Sequence, residues 1–484
     1  MTAPPNLEFS AKGLFIDGKW QDPTQGEVFG TINPSNGDNL GDVPLARSAD
    51  VDRAVAAAKS AFPGWSRTSI KERGSILRQL ADKMMEHRHE LGLMDCLDSG
   101  NALDGMKGDV DWAAETLYFF AGLLTEIKGN TSSQKSGHLN FTHRQPYGVV
   151  AKINPFNHPV RFCAEKSAAA LAAGNTVVVK ASEQAPLSSL RFAELCDGIL
   201  PPGVINVLTG DGATGSKMVQ HPDVSRIGFV GSVNTGRIIA KEAAEGLKPV
   251  TLELGGKNPI IIFPDADPEN AARAAIKGMN MNRQGQSCSS TSRVLVHEDI
   301  HREVSKELVK QSEALPIGFP WIRENELGPV ISQSQFERVM TFIKAGKTEG
   351  ASLLTGGEKP KNSTLDNGFF VCPTVFDEVT EEMRIGKEEI FGPVISIMKW
   401  NNFDEMIKLA NGLIYGLTAS IVTNNLKQAM ETAEAIEAGY VWINSAGRYL
   451  GAPYGGWKQS GLGQEESIEE LLSYTQIKNV NMRW

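Results

Sequence analysis

Along the chain the period of hydrophobic and polar positions changes several times. It opens with short alternating runs broken by turn residues, LFIDGKW, GEVFGTINP and NLGDVPLA, and takes on a helical period from about Asp50 to Leu124. Ser69 and Glu72 have capping-box spacing just ahead of Ile76, Leu77, Leu80 and Met84, which predicts a helix start there. From Gly148 to Leu254, β-branched runs (GVVAKI, TVVVKA, GVINVL, SRIGFV, PVTLEL) alternate with helical stretches, including 159–173, ended by Gly174, and 186–199. Continuous apolar strands joined by helices predict a parallel sheet covered on both faces, the layer that binds nucleotides. After Gly255 the alternation restarts with PIIIF, a helix over 267–282, SRVLVH, a helix over 301–314, then PVISIMKW, LTASIVT and YVWIN. A second α/β domain is expected.

Two stretches fit neither layer. Ile127 to Arg144 is polar and alternating, with HLNFTHRQ at its end, and SYTQIKNVNM near the C-terminus has the same strand character. Ribbons with so little burial of their own need a partner surface, so oligomerisation through them is expected, as a homodimer or homotetramer. The expected division is a cofactor domain over 1–124 and 147–254, a catalytic domain over 255–458, and an arm and tail over 125–146 and 459–484.

Composition narrows the function classes. At 484 residues the chain is too long for one core and suggests about three domains. The 48 basic and 57 acidic residues give a net charge of −9, with no basic block and no aromatic stripe for stacking bases, so nucleic acid is not an expected partner. The first residues lack a basic segment followed by an apolar run, and no stretch of ~18 apolar residues occurs; no membrane association or export is expected. Five cysteines at irregular spacings make neither a disulfide framework nor a metal set, which fits a reducing cytoplasm. Cys96, Cys163, Cys196 and Cys372 lie in apolar or helical surroundings, as small hydrophobes do.

Candidate chemistry gathers between Thr251 and Thr291, which opens with TLELGGK and closes with GQSCSST. Cys288 is a thiol able to attack a carbon, and Glu253 a carboxylate able to activate water. They fall at the end of one α/β layer and early in the next, so a site in the cleft between domains is expected. Gly210-Asp-Gly212-Ala-Thr-Gly215 formally satisfies G-x-G-x-x-G after a strand, but the following strand ends in FVGS without the ribose-binding acid. Phe229-Val-Gly231-Ser232 is the better phosphate turn, because the helix after it offers free amides. Lys180 and Glu183 in KASE supply an acid one strand earlier, though such a pair is also ordinary on a loop surface. Asn157 in NPFNHP is able to donate to an oxyanion or to serve simply as a turn residue.

NPFNHP, KASE, FVGS, TLELGGK, GQSCSS, EEIFGPV and PYGGWKQSGLG occur in the order, and at nearly the spacing, of the NAD(P)-dependent aldehyde dehydrogenase superfamily, which the chain resembles from LFIDGKW to its end. The resemblance implies an α/β protein with a Rossmann-type cofactor domain, an α/β catalytic domain and a small β oligomerisation arm. It implies Cys288 as nucleophile, Glu253 as general base, and Asn157 as oxyanion donor together with the backbone amide of Cys288. For the cofactor it implies Lys180 and Glu183 at the adenosine ribose, Phe229, Gly231 and Ser232 at the pyrophosphate, and Glu389 and Phe391 at the nicotinamide ribose. Ile153, Phe156, Gly212 and Leu254 complete that set. No metal is implied. Glu183 would repel a 2′-phosphate, so NAD is expected over NADP, and retention of Glu253 argues for hydrolytic rather than acyl-CoA-forming release. Departures from the family pattern are Phe156 where Trp is usual, His158 where an apolar or aromatic residue is common, Gln464 where Arg is usual, and a Gly210 loop one residue short.

The helix after Asn157 reads HPVRFCAEK, which puts His158, Arg161 and Glu165 at helical spacing, while Arg448 and Tyr449 precede PYGG and its Tyr454. The resemblance implies that these regions border the substrate tunnel, and two arginines suit a polar or carboxylate-bearing, semialdehyde-like aldehyde, with an aromatic one as the alternative. Arg161 and Glu165, four apart, also suit pairing with each other. Two other classes remain: a NAD-independent cysteine hydrolase using Cys288 with His158, and a non-catalytic protein on the same fold.

Overall fold

The structure, a computed structural model, describes residues 3–7, 10–133 and 135–484. Its first sheet has eight strands, with 205–209, 176–181, 149–153, 224–230 and 250–253 adjacent and parallel in that order. Numbered along the chain this is the order 3-2-1-4-5, so the direction of winding reverses between Val149–Ile153 and Val224–Val230. Ligands of such sheets bind beyond the carboxyl ends of the strands at that reversal. Each of the five strands is buried along nearly its whole length, which is why their sequences run apolar without alternation. The short strands Leu14–Ile16 and Lys19–Gln21 extend one edge, and Gly461–Leu462 adds antiparallel to Val250–Glu253 at the other.

A second, seven-stranded sheet runs 352–355, 374–377, 394–400, 293–297, 259–262, 418–422 and 440–443, parallel except for its first strand. Four helices occupy Ser48–Trp65, Ile70–Glu86, Arg88–Ser99 and Leu103–Gly122, with the Ser69 hydroxyl accepting from the Glu72 amide as its spacing predicts. Val110, Ala113, Ala114 and Leu117 of the last share a core with Val160, Cys163, Ala164 and Leu171 of helix Pro159–Ala172. That helix is buried at every position, including Arg161, Glu165 and Lys166. Charges with no face to water must find partners inside.

One expectation needs adjustment. The helix expected over 267–282 ends at Gly278. Asn280 and Gln284 adopt left-handed backbone conformations around a single turn, Met281–Arg283, and so redirect the chain into the Cys288 loop. The two ribbons expected to take part in oligomerisation form one surface: His138–Pro146 lies antiparallel to Thr475–Arg483 over nine residue pairs, with Thr131–Ser132 on its far side. Gln134 of that ribbon lies outside the described residues. Of the tail expected over 459–484, Gly461–Leu462 belongs to the first sheet and Thr475–Arg483 to the ribbon.

Candidate active site

Cys288 sits in the loop that leads into strand Arg293–His297, and Glu253 ends strand Val250–Glu253 of the other sheet. The thiol donates to Glu253 Oε1 at 2.7 Å, and the Tyr454 hydroxyl lies 3.7 Å from the sulfur. The loop is held from below by Asn258, whose Nδ2 donates to the carbonyls of Cys288 at 2.7 Å and Ser290 at 3.0 Å while its Oδ1 accepts from the Thr418 amide. The pair of glycines in TLELGGK has a steric cause here. A Cβ on Gly255 would come within 2.1 Å of the Glu389 carboxylate, and one on Gly256 within 2.8 Å of the Cys288 carbonyl.

Asn157 follows strand Val149–Ile153 and is buried; its Nδ2 donates to the Gln286 carbonyl at 3.1 Å, two residues before Cys288, and leaves a second N–H. Its own carbonyl accepts from Asn101 at 3.1 Å. Among the described residues the backbone amide of Cys288 has no acceptor. Burial, then the charge of Glu253 and the hydrogen bond to it, push the Cys288 thiol well above its ordinary range, with Arg448 and Tyr454 acting the other way. At neutral pH the sulfur is therefore protonated, with its proton already directed at a base.

Asn157, Glu253 and Cys288 all face one cavity of about 450 Å³, which also takes in Phe156, Gly231, Ser232, Leu254, Glu389 and Phe391. It opens at the reversal of the first sheet, between the chain leaving Ile153 and the chain leaving Val230. Gly231 leaves no room for a side chain, since a Cβ would meet the Phe229 ring at 2.4 Å. Ser232 caps helix Val233–Glu245 by accepting from the Thr235 amide, and Ser232, Val233 and Asn234 at that helix start line the cavity, a position suited to an anionic phosphate. Phe391 has a left-handed φ of 61° and packs edge-on against Phe156. Burial lifts Glu389 to about 7 against the pull of the Gly256 amide, 3.0 Å away. These features fit a dinucleotide.

Lys180, Glu183, Ile153 and Gly212 lie at the neighbouring strand ends, beyond the walls of this cavity. Lys180 Nζ donates to Glu183 at 2.9 Å and to the Gly210 carbonyl at 2.6 Å, which ties the Gly210 turn to the KASE turn. Gly212 opens helix Gly212–Gln220, and Ile153 and Lys180 both approach Gly215. Gln335 and Arg338 are cavity residues that sequence reasoning missed; they donate to the carbonyls of Phe391 at 2.7 Å and Glu389 at 2.6 Å.

A second cavity, of about 760 Å³, is lined by Ser287 and Ser289 on either side of Cys288, with His158, Arg161, Arg283 and Arg448. Glu165 and Tyr454 are set back from its surface. Glu165 is the internal partner of Arg161 at 2.5 Å, and Tyr454 is fully covered, with the Arg448 guanidinium 3.9 Å from its ring centre. Tyr449 is exposed, away from both cavities. Arg448 pairs with the buried Glu466. Lys166, also missed, lies 2.9 Å from Glu165, 2.5 Å from Glu465 and 3.5 Å from Glu253. Burial alone would lower its pKa, but the three carboxylates outweigh burial and hold it charged. The only sequence signal for this network was a run of charges within an otherwise small and apolar helix.

Among the described residues, no group of side chains could hold a metal ion and no helix is long and apolar enough to cross a membrane. Residues 20–480 match the model of the Aldehyde dehydrogenase family. The chain is 42% identical over 480 residues to the aldehyde dehydrogenase tropH of Talaromyces stipitatus, covering 97% of this chain and 93% of that one. It is 41% identical to retinaldehyde dehydrogenase 3 of Rattus norvegicus, over 99% of this chain and 94% of the relative. Among solved structures, the NAD+ complex of an aldehyde dehydrogenase from Bacillus cereus superimposes with a TM-score of 0.95 at 40% identity, covering 98% of this chain and 97% of the other. Betaine aldehyde dehydrogenase from Staphylococcus aureus with NAD+ gives 0.96 at 35% identity, over 99% and 96% of the two chains.

Proposed function

Because the chain belongs to the aldehyde dehydrogenase family and oxidises an aldehyde with NAD, we propose that Cys288, Glu253 and Asn157 carry the reaction and that its substrate is a polar aldehyde. The observation that supports this most directly is the meeting of the three side chains on one cavity wall, with a second cavity reaching the same cysteine loop. Cys288 passes its proton to Glu253 and its sulfur bonds to the aldehyde carbon. The oxygen that becomes negative is stabilised by the free N–H of Asn157 and the backbone amide of Cys288. NAD, when bound, supplies the hydride acceptor. The acyl group is left as a thioester on Cys288, and Glu253, once it has released the thiol proton, takes a proton from the water that hydrolyses it. Lys166 positions the Glu253 carboxylate.

The 450 Å³ cavity is the cofactor side, with Gly231, Ser232 and the following amides at the pyrophosphate, and Glu389 and Phe391 at the nicotinamide ribose. Lys180 and Glu183 hold the adenosine ribose, and Glu183 favours NAD; a higher kcat/KM with NADP would reverse that preference. The 760 Å³ cavity admits the aldehyde. A screen for NADH release across aliphatic, aromatic, amino and carboxy aldehydes, with Cys288→Ala as control, tests the assignment. Aldehyde-dependent NADH formation that survives Cys288→Ala would end it.

Two further parts of the reading concern the setting. The ribbon formed by His138–Pro146 and Thr475–Arg483 leaves Ile477, Met482 and Trp484 exposed, which supports a homodimer or homotetramer assembled through it. All five cysteines are free, which supports a reducing compartment such as the cytoplasm.

A further inference from the structure

His158 takes no part in the thiol chemistry, yet it is built into the substrate-side wall with care. It stands between Asn157 and the helix Pro159–Ala172, 7% exposed, on the surface of the 760 Å³ cavity. Its Nδ1 lies 2.7 Å from Oδ2 of the buried Asp109. Asp109 in turn meets Arg283 at 2.7 Å and Arg161 at 3.7 Å. Two guanidinium groups at that range keep a buried carboxylate ionised, so Asp109 only accepts and the Nδ1 position must carry the hydrogen. Burial keeps the ring itself neutral, lowering its pKa to about 4 in spite of Asp109. Nε2 is then a lone-pair acceptor, and it makes no hydrogen bond to any described residue. Arg161, on the same wall, is turned inward onto acids, with Glu165 at 2.5 Å, Glu466 at 3.6 Å and Asp109 at 3.7 Å.

We propose that this acceptor reads a hydroxyl group on the substrate, so that the preferred aldehydes carry a hydroxyl that donates to His158 Nε2. The proposal rests on the aldehyde-oxidising site at Cys288 and narrows its substrate class. Other tails fit less well. An ammonium would face Arg161, Arg283 and Arg448 together. A carboxylate has no hydrogen to offer Nε2, and each arginine already has an acid: Glu165 at 2.5 Å from Arg161, Asp109 at 2.7 Å from Arg283, and Glu466 at Arg448. A plain alkyl tail would leave Nε2 desolvated and unpaired, which is the usual basis for rejecting an analogue that lacks a hydroxyl. The hydroxyl has either an aliphatic or a phenolic source.

The test compares kcat/KM for aldehydes differing only in that group: ω-hydroxy alkanals of three to five carbons against alkanals of the same length, and hydroxybenzaldehydes against benzaldehyde. Succinic semialdehyde is the carboxylate arm. The hydroxy member of at least one pair is expected to win by about 10- to 100-fold, and to exceed succinic semialdehyde. His158→Phe should collapse that ratio towards one, while His158→Gln, which restores an acceptor, should recover most of it. The ratio is unaffected by how much of a variant folds, because both substrates meet the same sample. Equal values across every pair, a preference for succinic semialdehyde, or a hydroxyl preference that survives His158→Phe would overturn the proposal. No NADH from any aldehyde would instead count against the Cys288 site itself.

Discussion

Glu253→Gln keeps the shape of the side chain and removes the carboxylate that lies 2.7 Å from the Cys288 sulfur and 3.5 Å from Lys166. The two halves of the reaction should respond in opposite directions. In the resting protein the thiol is held up by burial and then by the charge of Glu253 and the hydrogen bond to it. In the variant burial alone opposes ionisation, while Arg448 and Tyr454 still favour it, so iodoacetamide should alkylate Cys288 faster than in the parent at the same pH. The thiol proton then leaves to solvent rather than to residue 253, and hydrolysis of the thioester loses its base. A positioned general base contributes about 100- to 10,000-fold; set against a typical kcat of about 10 s⁻¹, turnover should fall to about 0.1–0.001 s⁻¹. Stopped-flow absorbance should record one NADH per site and then a nearly flat trace, and mass spectrometry after acid quench should find the acyl group on Cys288. Turnover near the parent rate without a burst would refute the assignment of the base, and slower alkylation would refute the account of the raised thiol.

Asn157→Ala should lower kcat by about 100- to 1000-fold through the loss of one oxyanion donor; a change under tenfold in steady-state kinetics would count against that role. Lys166→Met leaves Glu165, Glu253 and Glu465 without their shared ammonium, and urea unfolding should show a loss of about 3–5 kcal/mol, whereas an unchanged midpoint would mean the network is not a stabilising unit. Burial lets Glu389 keep its proton to about pH 7 in the folded chain, against about 4.5 for an ordinary glutamate. The folded state therefore binds more protons than the unfolded one across that window, and stability falls as pH rises through it, by up to about 3 kcal/mol. Glu389→Gln should flatten that dependence in unfolding curves taken from pH 5 to 8, and a variant with the parent slope would remove Glu389 as its source.

The alternation of β-branched runs with helices was legible because parallel strands are buried on both faces, and burial writes itself into local sequence. Cys288, Glu253 and Asn157 stood out because each carries chemistry beside glycines or prolines that fix the backbone. What the chain alone left open was decided over distance. Asp109 did not stand out along the chain because its partners lie on other elements, 49 residues away at His158 and 174 at Arg283. Arg161 suited either a substrate or Glu165 until burial of its helix forced it onto internal acids. The ribbons pair with each other because a strand edge accepts any antiparallel partner, and register is a property of two segments rather than one. Periodicity is set residue by residue along the backbone; charge pairing, tautomer and pairing register depend on which groups share a space, and only the folded chain determines that.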